Sequence, residues 1–137
     1  MTYARRFTPE QANRTLPLVR RIVEDVVRQH HVWREKILEL DLLASSAHAD
    51  DVMHADRLER EAQAVAREID AFQRELDDLG VLLKDRRQGL VDFPSELDGR
   101  DVLLCWRLGE PEVRFWHDAA SGFSGRHPLV PVDSLTA

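Results

Sequence analysis

One cysteine stands among 137 residues, so the chain can form no internal disulfide and must hold its fold by packing. Apolar runs long enough to cross a bilayer are missing, as is a signal-peptide pattern at the start, which predicts a soluble, cytoplasmic protein with no membrane partner. Positive charge is in deficit: 19 Lys and Arg stand against 25 Asp and Glu, a formal net charge of -6. Binding of nucleic acid needs clustered cations, and single-strand binding adds interleaved aromatics. The overall charge argues against that function, and Arg5, Arg6, Arg14, Arg20, Arg21 and Arg28 show no such aromatic pattern.

What is present suits one folded domain over residues 1–137. A chain of this length buries roughly two thirds of its unfolded surface, and a charged fraction of 32% suggests long solvated helices. "FTPEQAN" supplies a helix start, with Thr8 as cap, Pro9 in the first helical position, and Gln11 as the reciprocal capping partner. Ala12, Leu16, Val19, Val23, Val26, Trp33, Ile37, Leu40 and Ala44 then draw one stripe, predicting a helix over 9–44. Pro17 lacks an amide hydrogen and crowds the carbonyl four residues back, which predicts a kink or break near Arg14 to Leu16. "SSAHADD" breaks the pattern, and Asp50 or Asp51 is the expected cap of a second helix over 51–79. There Ala55, Leu58, Ala62, Val65, Ile69, Phe72, Leu76 and Leu79 keep a heptad spacing up to Gly80. A long, coiled-coil-like antiparallel hairpin follows from the two stripes.

Beyond Gly80 the period shortens to two. "VLLKD" and "GLVDF" flank "RRQ", and "RDVLLCWR" and "EVRFWHD" flank "LGEP", so two β-hairpins are expected over 81–118. Residues 119–137, rich in small residues and prolines, are expected to be an irregular tail that wraps back over the sheet. The fold class is therefore α+β, a helical hairpin followed by a small antiparallel sheet.

With "LGEP" as the connection, Trp106 lies opposite Val113, Cys105 opposite Arg114, and Leu103 opposite Trp116. One face then carries Val102, Leu104, Trp106, Val113, Phe115 and His117. Asp101, Leu103, Cys105, Arg107, Glu112, Arg114, Trp116 and Asp118 share the other. Cys105, His117 and Asp118 are the catalytic candidates: a thiol beside Arg107 and Arg114 could be a lowered-pKa nucleophile, although a lone strand cysteine is more often inert. His117, Asp118 and Glu112 are the candidate ligands for a divalent metal, although adjacent strand residues point to opposite faces. Arg107, Arg114, Trp116, Gly122, Gly125 and Arg126 are the candidate ligand-binding set, with "GFSGR" a loop that could admit a small anion. Lys84 and Asp92 are expected to pair across the first hairpin, and His30 to be buried and hydrogen-bonded opposite Glu68 and Ile69.

The pieces "FTPEQANRTLPLVRRIVEDV", "LKD", "GLVDFP", "LLCWRLGEPE", "FWHD" and "GFSGR", in that order from about Phe7 to Leu129, resemble the bacterial family known as domain of unknown function 2203. In that family the histidine is usually followed by glutamate, where this chain has Asp118. The resemblance implies no particular reaction. The leading functional expectation is a non-catalytic binding or assembly protein. It would be a homodimer through the helical hairpin, with a recognition surface on the sheet for a protein partner or small anionic ligand. The rival is a metal-binding protein or small enzyme with its site at Cys105, Arg107, Glu112, Trp116, His117, Asp118 and Arg126.

Overall fold

The computed structural model describes residues 5–129; the ends of the expected single domain, 1–4 and 130–137, lie outside the described residues. Helix α1 spans Pro9–Leu43 and α2 spans Ala49–Leu79. At the start of α1 the Thr8 hydroxyl accepts from the Gln11 amide and the Gln11 side chain accepts from the Thr8 amide, the reciprocal box that "FTPEQ" predicts. Such a cap stabilises a helix by about 1 kcal/mol. Pro17 sits inside a single α1 rather than between two pieces. Leu16 and Val19 on either side of it are buried in the core, which holds the helix through that point. Helix α2 begins two residues before its expected start, with His48 in the capping position and no side-chain cap; Asp50 and Asp51 lie in its first turn, where their charge meets the helix N-terminus favourably. Gly80 ends it at φ 85°.

Five strands follow in the order of the chain, forming one antiparallel sheet: β1 Leu82–Asp85, β2 Leu90–Leu97, β3 Arg100–Arg107, β4 Phe115–His117 and β5 His127–Pro128. The α+β class is as expected, with a short fifth strand inside the stretch expected to be irregular. Between β2 and β3, Asp98 and Gly99 both take positive φ, 51° and 77°, which is the geometry of a two-residue primed turn. That turn sets Leu97 against Arg100 and carries the register back to Phe93 against Leu104 and Asp92 against Cys105.

The inner face of the sheet bears Val91, Phe93, Leu104 and Trp106, packed on Leu16, Val19, Val23 and Val26 of α1 and on Ile69 and Leu76 of α2. Phe7 closes one end, edge-on to Phe93 at 5.2 Å, its amide donating to the Pro94 carbonyl. Helix α1 is about 50 Å long at 1.5 Å per residue, and only its N-terminal half lies on the sheet. Farther out Leu58 and Ala62 are buried without joining the sheet's core, so the distal half of the hairpin is an arm.

The β3–β4 register differs from the expected one by a single residue: His117, not Trp116, lies against Leu103, and Phe115 against Cys105. The connection is not a four-residue loop. Glu110 closes a tighter turn, its Oε1 accepting from the Arg107 amide and its carbonyl from Trp106 Nε1. Asn13 of α1 then clasps Val113, donating to its carbonyl at 3.2 Å and accepting from its amide at 2.7 Å. Val113 stays in the core, ladder pairing resumes only at Phe115, and the slip of one residue turns every β4 side chain to the opposite face.

Asn13→Ala removes both bonds and leaves the Val113 amide and carbonyl without their partner. The expected cost is about 2 kcal/mol in chemical denaturation, with faster hydrogen exchange at the Val113 amide and little change in β2–β3.

Candidate functional site

The corrected register gathers side chains that the sequence held apart. Asp92, Cys105 and His117 all point to the outer face of the sheet, away from the helices, since Asp92 opposes Cys105 and His117 stands one pleat along β4 from the partner of Cys105. Their donor atoms lie within 4.8 Å of one another, and all three residues are buried. This is the one convergent set of histidine, cysteine and acidic donors among the described residues.

A covering segment accounts for their burial. After His117 the chain turns over the outer face, with Phe123–Gly125 forming a single 3-10 turn. Gly122 enters it at φ 63°, and a Cβ on Gly125 would come within 2.6 Å of the Ser121 side chain. Arg126 latches the segment down: its guanidinium lies 3.8 Å over the Phe115 ring and 4.4 Å over Phe123, and Nη2 reaches Glu110 Oε2 at 2.6 Å. Arg107 stacks on Phe123 from the exposed side at 5.3 Å. The guanidinium expected to meet an anion through "GFSGR" thus has its charge paired within the fold, while its buried Nε has no hydrogen-bond partner.

Between this segment and the sheet lies a recess of about 250 Å³, bordered by Lys84, Leu90, Asp92, Leu103, His117 and the turn Ala119–Phe123. Asp92 and His117 therefore face open volume while Cys105 lies behind them. Lys84 sits where the β1–β2 register shifts, and Asp92 pairs across from Leu82. The expected Lys84–Asp92 ion pair is replaced by a hydrogen bond between Asp92 and His117, although the ammonium still favours the charged carboxylate.

The hydrogen-bond chain fixes the protons. His117 Nδ1 is 2.6 Å from the Asp118 carbonyl oxygen, which can only accept, so Nδ1 carries hydrogen. Nε2 then faces Asp92 Oδ1 at 2.9 Å with one proton between them. Imidazolium with carboxylate and imidazole with carboxylic acid are two positions of that proton, and both leave the dyad uncharged overall. Burial pushes the Asp92 carboxyl above its usual range, against the pull of His117. Burial also pushes the Cys105 thiol up to about 12, with the Asp92 charge adding to the rise and Arg126 opposing it. The lowered-pKa nucleophile expected from Arg107 and Arg114 is corrected by this: both arginines are exposed, and the thiol sits beside a carboxyl instead.

The other sequence candidates scatter. Asp118 contributes its backbone to His117, while its exposed carboxylate lies 3.7 Å from Arg100. Glu112 and Arg114 pair with each other at 2.8 Å and line a separate apolar groove beside Pro9 and Phe115. Trp116 points to the helix side, where it packs on the core and stacks against His127. His30 is half-buried and stacked on Trp33, and Gln29 takes the Glu68 carboxylate in its place. Asp92 is the member that sequence reasoning missed. The signal for it was "LDGR", because a two-residue Asp-Gly turn sets Asp92 against Cys105 by counting back five pairs.

The raised Cys105 pKa has a signed consequence. Above pH 9 the unfolded thiol ionises while the folded one keeps its proton, so the unfolded chain binds fewer protons and stability falls as pH rises towards about 12. The limiting slope is about 1.4 kcal/mol per pH unit. Urea denaturation between pH 8 and roughly pH 11 is expected to fall more steeply for the natural chain than for Cys105→Ala, by up to that slope.

The family model described as "Uncharacterized conserved protein (DUF2203)" matches residues 5–129. No curated protein and no solved structure matches the chain. Asp92, Cys105, His117 and the covering segment all fall inside the matched span, and the chain belongs to the DUF2203 family.

Proposed function

We propose that this protein binds a divalent metal ion, of the zinc type, through Asp92, Cys105 and His117. The observation that carries the reading is the convergence of one imidazole nitrogen, one sulfur and one carboxylate on a buried point. Support comes from the way His117 is held. A metal-binding histidine usually donates its other ring hydrogen to a carbonyl or carboxylate, which fixes the tautomer and aims the free nitrogen, and the Asp118 carbonyl does this for Nδ1. Charge supports it as well: a thiolate and a carboxylate together neutralise a dication, so the loaded site carries no net charge into the interior. A mixed nitrogen, oxygen and sulfur set suits zinc, and three protein ligands leave a fourth position. Loading must displace two protons, one from Cys105 and one from between His117 and Asp92.

Calorimetric titration with Zn²⁺ in buffers of different ionisation enthalpy is expected to give one ion per chain and about two protons released. Affinity should then rise about 100-fold per pH unit near neutrality. Asp92→Asn is the decisive variant. An asparagine amide can donate to His117 Nε2, so stability is expected to stay within about 1 kcal/mol of the natural chain, while zinc affinity falls at least about 100-fold. Equal zinc affinity in the two proteins would contradict the site.

A second reading concerns assembly. Leu38, Leu42, Val52 and Met53 at the far end of the arm are 58%, 81%, 47% and 67% exposed, a concentration of large apolar side chains on a part of the hairpin that the sheet does not reach. A second copy of the chain packing arm against arm would cover them. Sedimentation at high micromolar concentration is expected to show a dimer, and Leu42→Lys with Met53→Lys a folded monomer whose melting temperature no longer depends on protein concentration. A natural chain that sediments as a monomer rules this reading out.

A further inference from the structure

The recess beside the donor trio has its own chemistry, which goes beyond metal binding and rests on that reading. We propose that the fourth position on the metal takes the carboxylate of a short-chain carboxylic acid, held by Lys84 and seated against the apolar walls of the recess.

Charge selects the class. Asp92 and a Cys105 thiolate already neutralise a dication, so an anion added as fourth ligand brings one uncompensated negative charge into a poorly solvated place. Lys84 is the cation that borders the same recess. Among the described residues it makes no ion pair, and its charge already acts on Asp92 at the recess wall. Arg126, the other cation near the trio, already has its charge paired with Glu110 and stacked on two aromatic rings, although its buried Nε has no hydrogen-bond partner. One free positive charge suits a monoanion and leaves half of a phosphate dianion unmatched.

Shape selects within the class. Leu90, Leu103, Ala119, Ala120 and Phe123 make most of the remaining wall of the recess of about 250 Å³. A halide or bicarbonate would leave those walls unused. A carboxylate with a two- to four-carbon tail presents its charge to the metal and Lys84 and its methylenes to the leucines and Phe123. Each methylene buried there is worth about 0.8 kcal/mol, or about fourfold in affinity.

The test uses the full chain loaded with Co²⁺, whose thiolate charge-transfer band reports Cys105 coordination and whose visible bands report the fourth ligand. Formate, acetate, propionate and butyrate are titrated in turn. The expected result is a saturable change in the visible bands, with affinity rising about fourfold per methylene until the recess is full. In Lys84→Met the charge-transfer band is expected to be unchanged and every carboxylate at least about tenfold weaker. Visible bands that ignore all four acids overturn the inference while leaving the metal site standing. So does inorganic phosphate binding as tightly as propionate, or an unchanged affinity in Lys84→Met. A missing charge-transfer band overturns both the inference and the metal reading beneath it.

Discussion

The two-residue turn at Asp98 and Gly99 is the constraint from which the rest of this molecule follows. Because strand side chains alternate, fixing Leu97 against Arg100 puts Phe93 and Leu104 on one face and Asp92 and Cys105 on the other, and packing of the apolar pair on the helices makes theirs the inner face. A slip of one residue in this hairpin would set the apolar side chains of one strand against the polar ones of the other, forcing either the Asp92 carboxyl or the Cys105 thiol into the helix-packed core. The tight turn and the apolar stripe of α1 therefore specify the same answer, and agreement between local and global preference of this kind marks a well-determined fold.

The second constraint is the Asn13 clasp on Val113. Without it, β4 would be free to take the register that simple alternation suggests, with His117 turned towards the helices. The clasp and the Glu110 turn together use up the residues between Arg107 and Phe115 and deliver His117 to the outer face, where Asp92 waits. Burial then follows from Arg126, whose stacking on Phe115 and Phe123 holds the segment that shields the dyad from water. A helix residue, a turn acid and a latch arginine, each remote in sequence, thus act on one group of three donors.

Much of this architecture was legible from the residues. The capping box at Thr8, the heptad run of α2, the stop at Gly80 and the change of period after it each have a local physical cause, and each lies where that cause puts it. The site was less legible, because it depends on parity across three strands. Cys105 and His117 stood out by residue type, but their relation rests on an irregular connection pinned by Asn13, about a hundred positions away in sequence. Asp92 looked like half of a surface ion pair with Lys84 because the register shift in β1 has no mark in "LLKD". Only the Asp-Gly turn carried readable information about the site, and it sufficed to bring Asp92 to Cys105 though not to His117.

On the proposed reading the outer face of the sheet carries a metal centre made by these three side chains rather than a hydrogen-bonded dyad beside an inert thiol. Crystals grown with zinc and measured at its absorption edge distinguish the two. A metal centre gives one strong anomalous peak about 2.0–2.3 Å from His117 Nε2, Cys105 Sγ and an Asp92 oxygen, with the His117 to Asp92 hydrogen bond broken. A map with no peak there, and that bond intact at 2.9 Å, would contradict it.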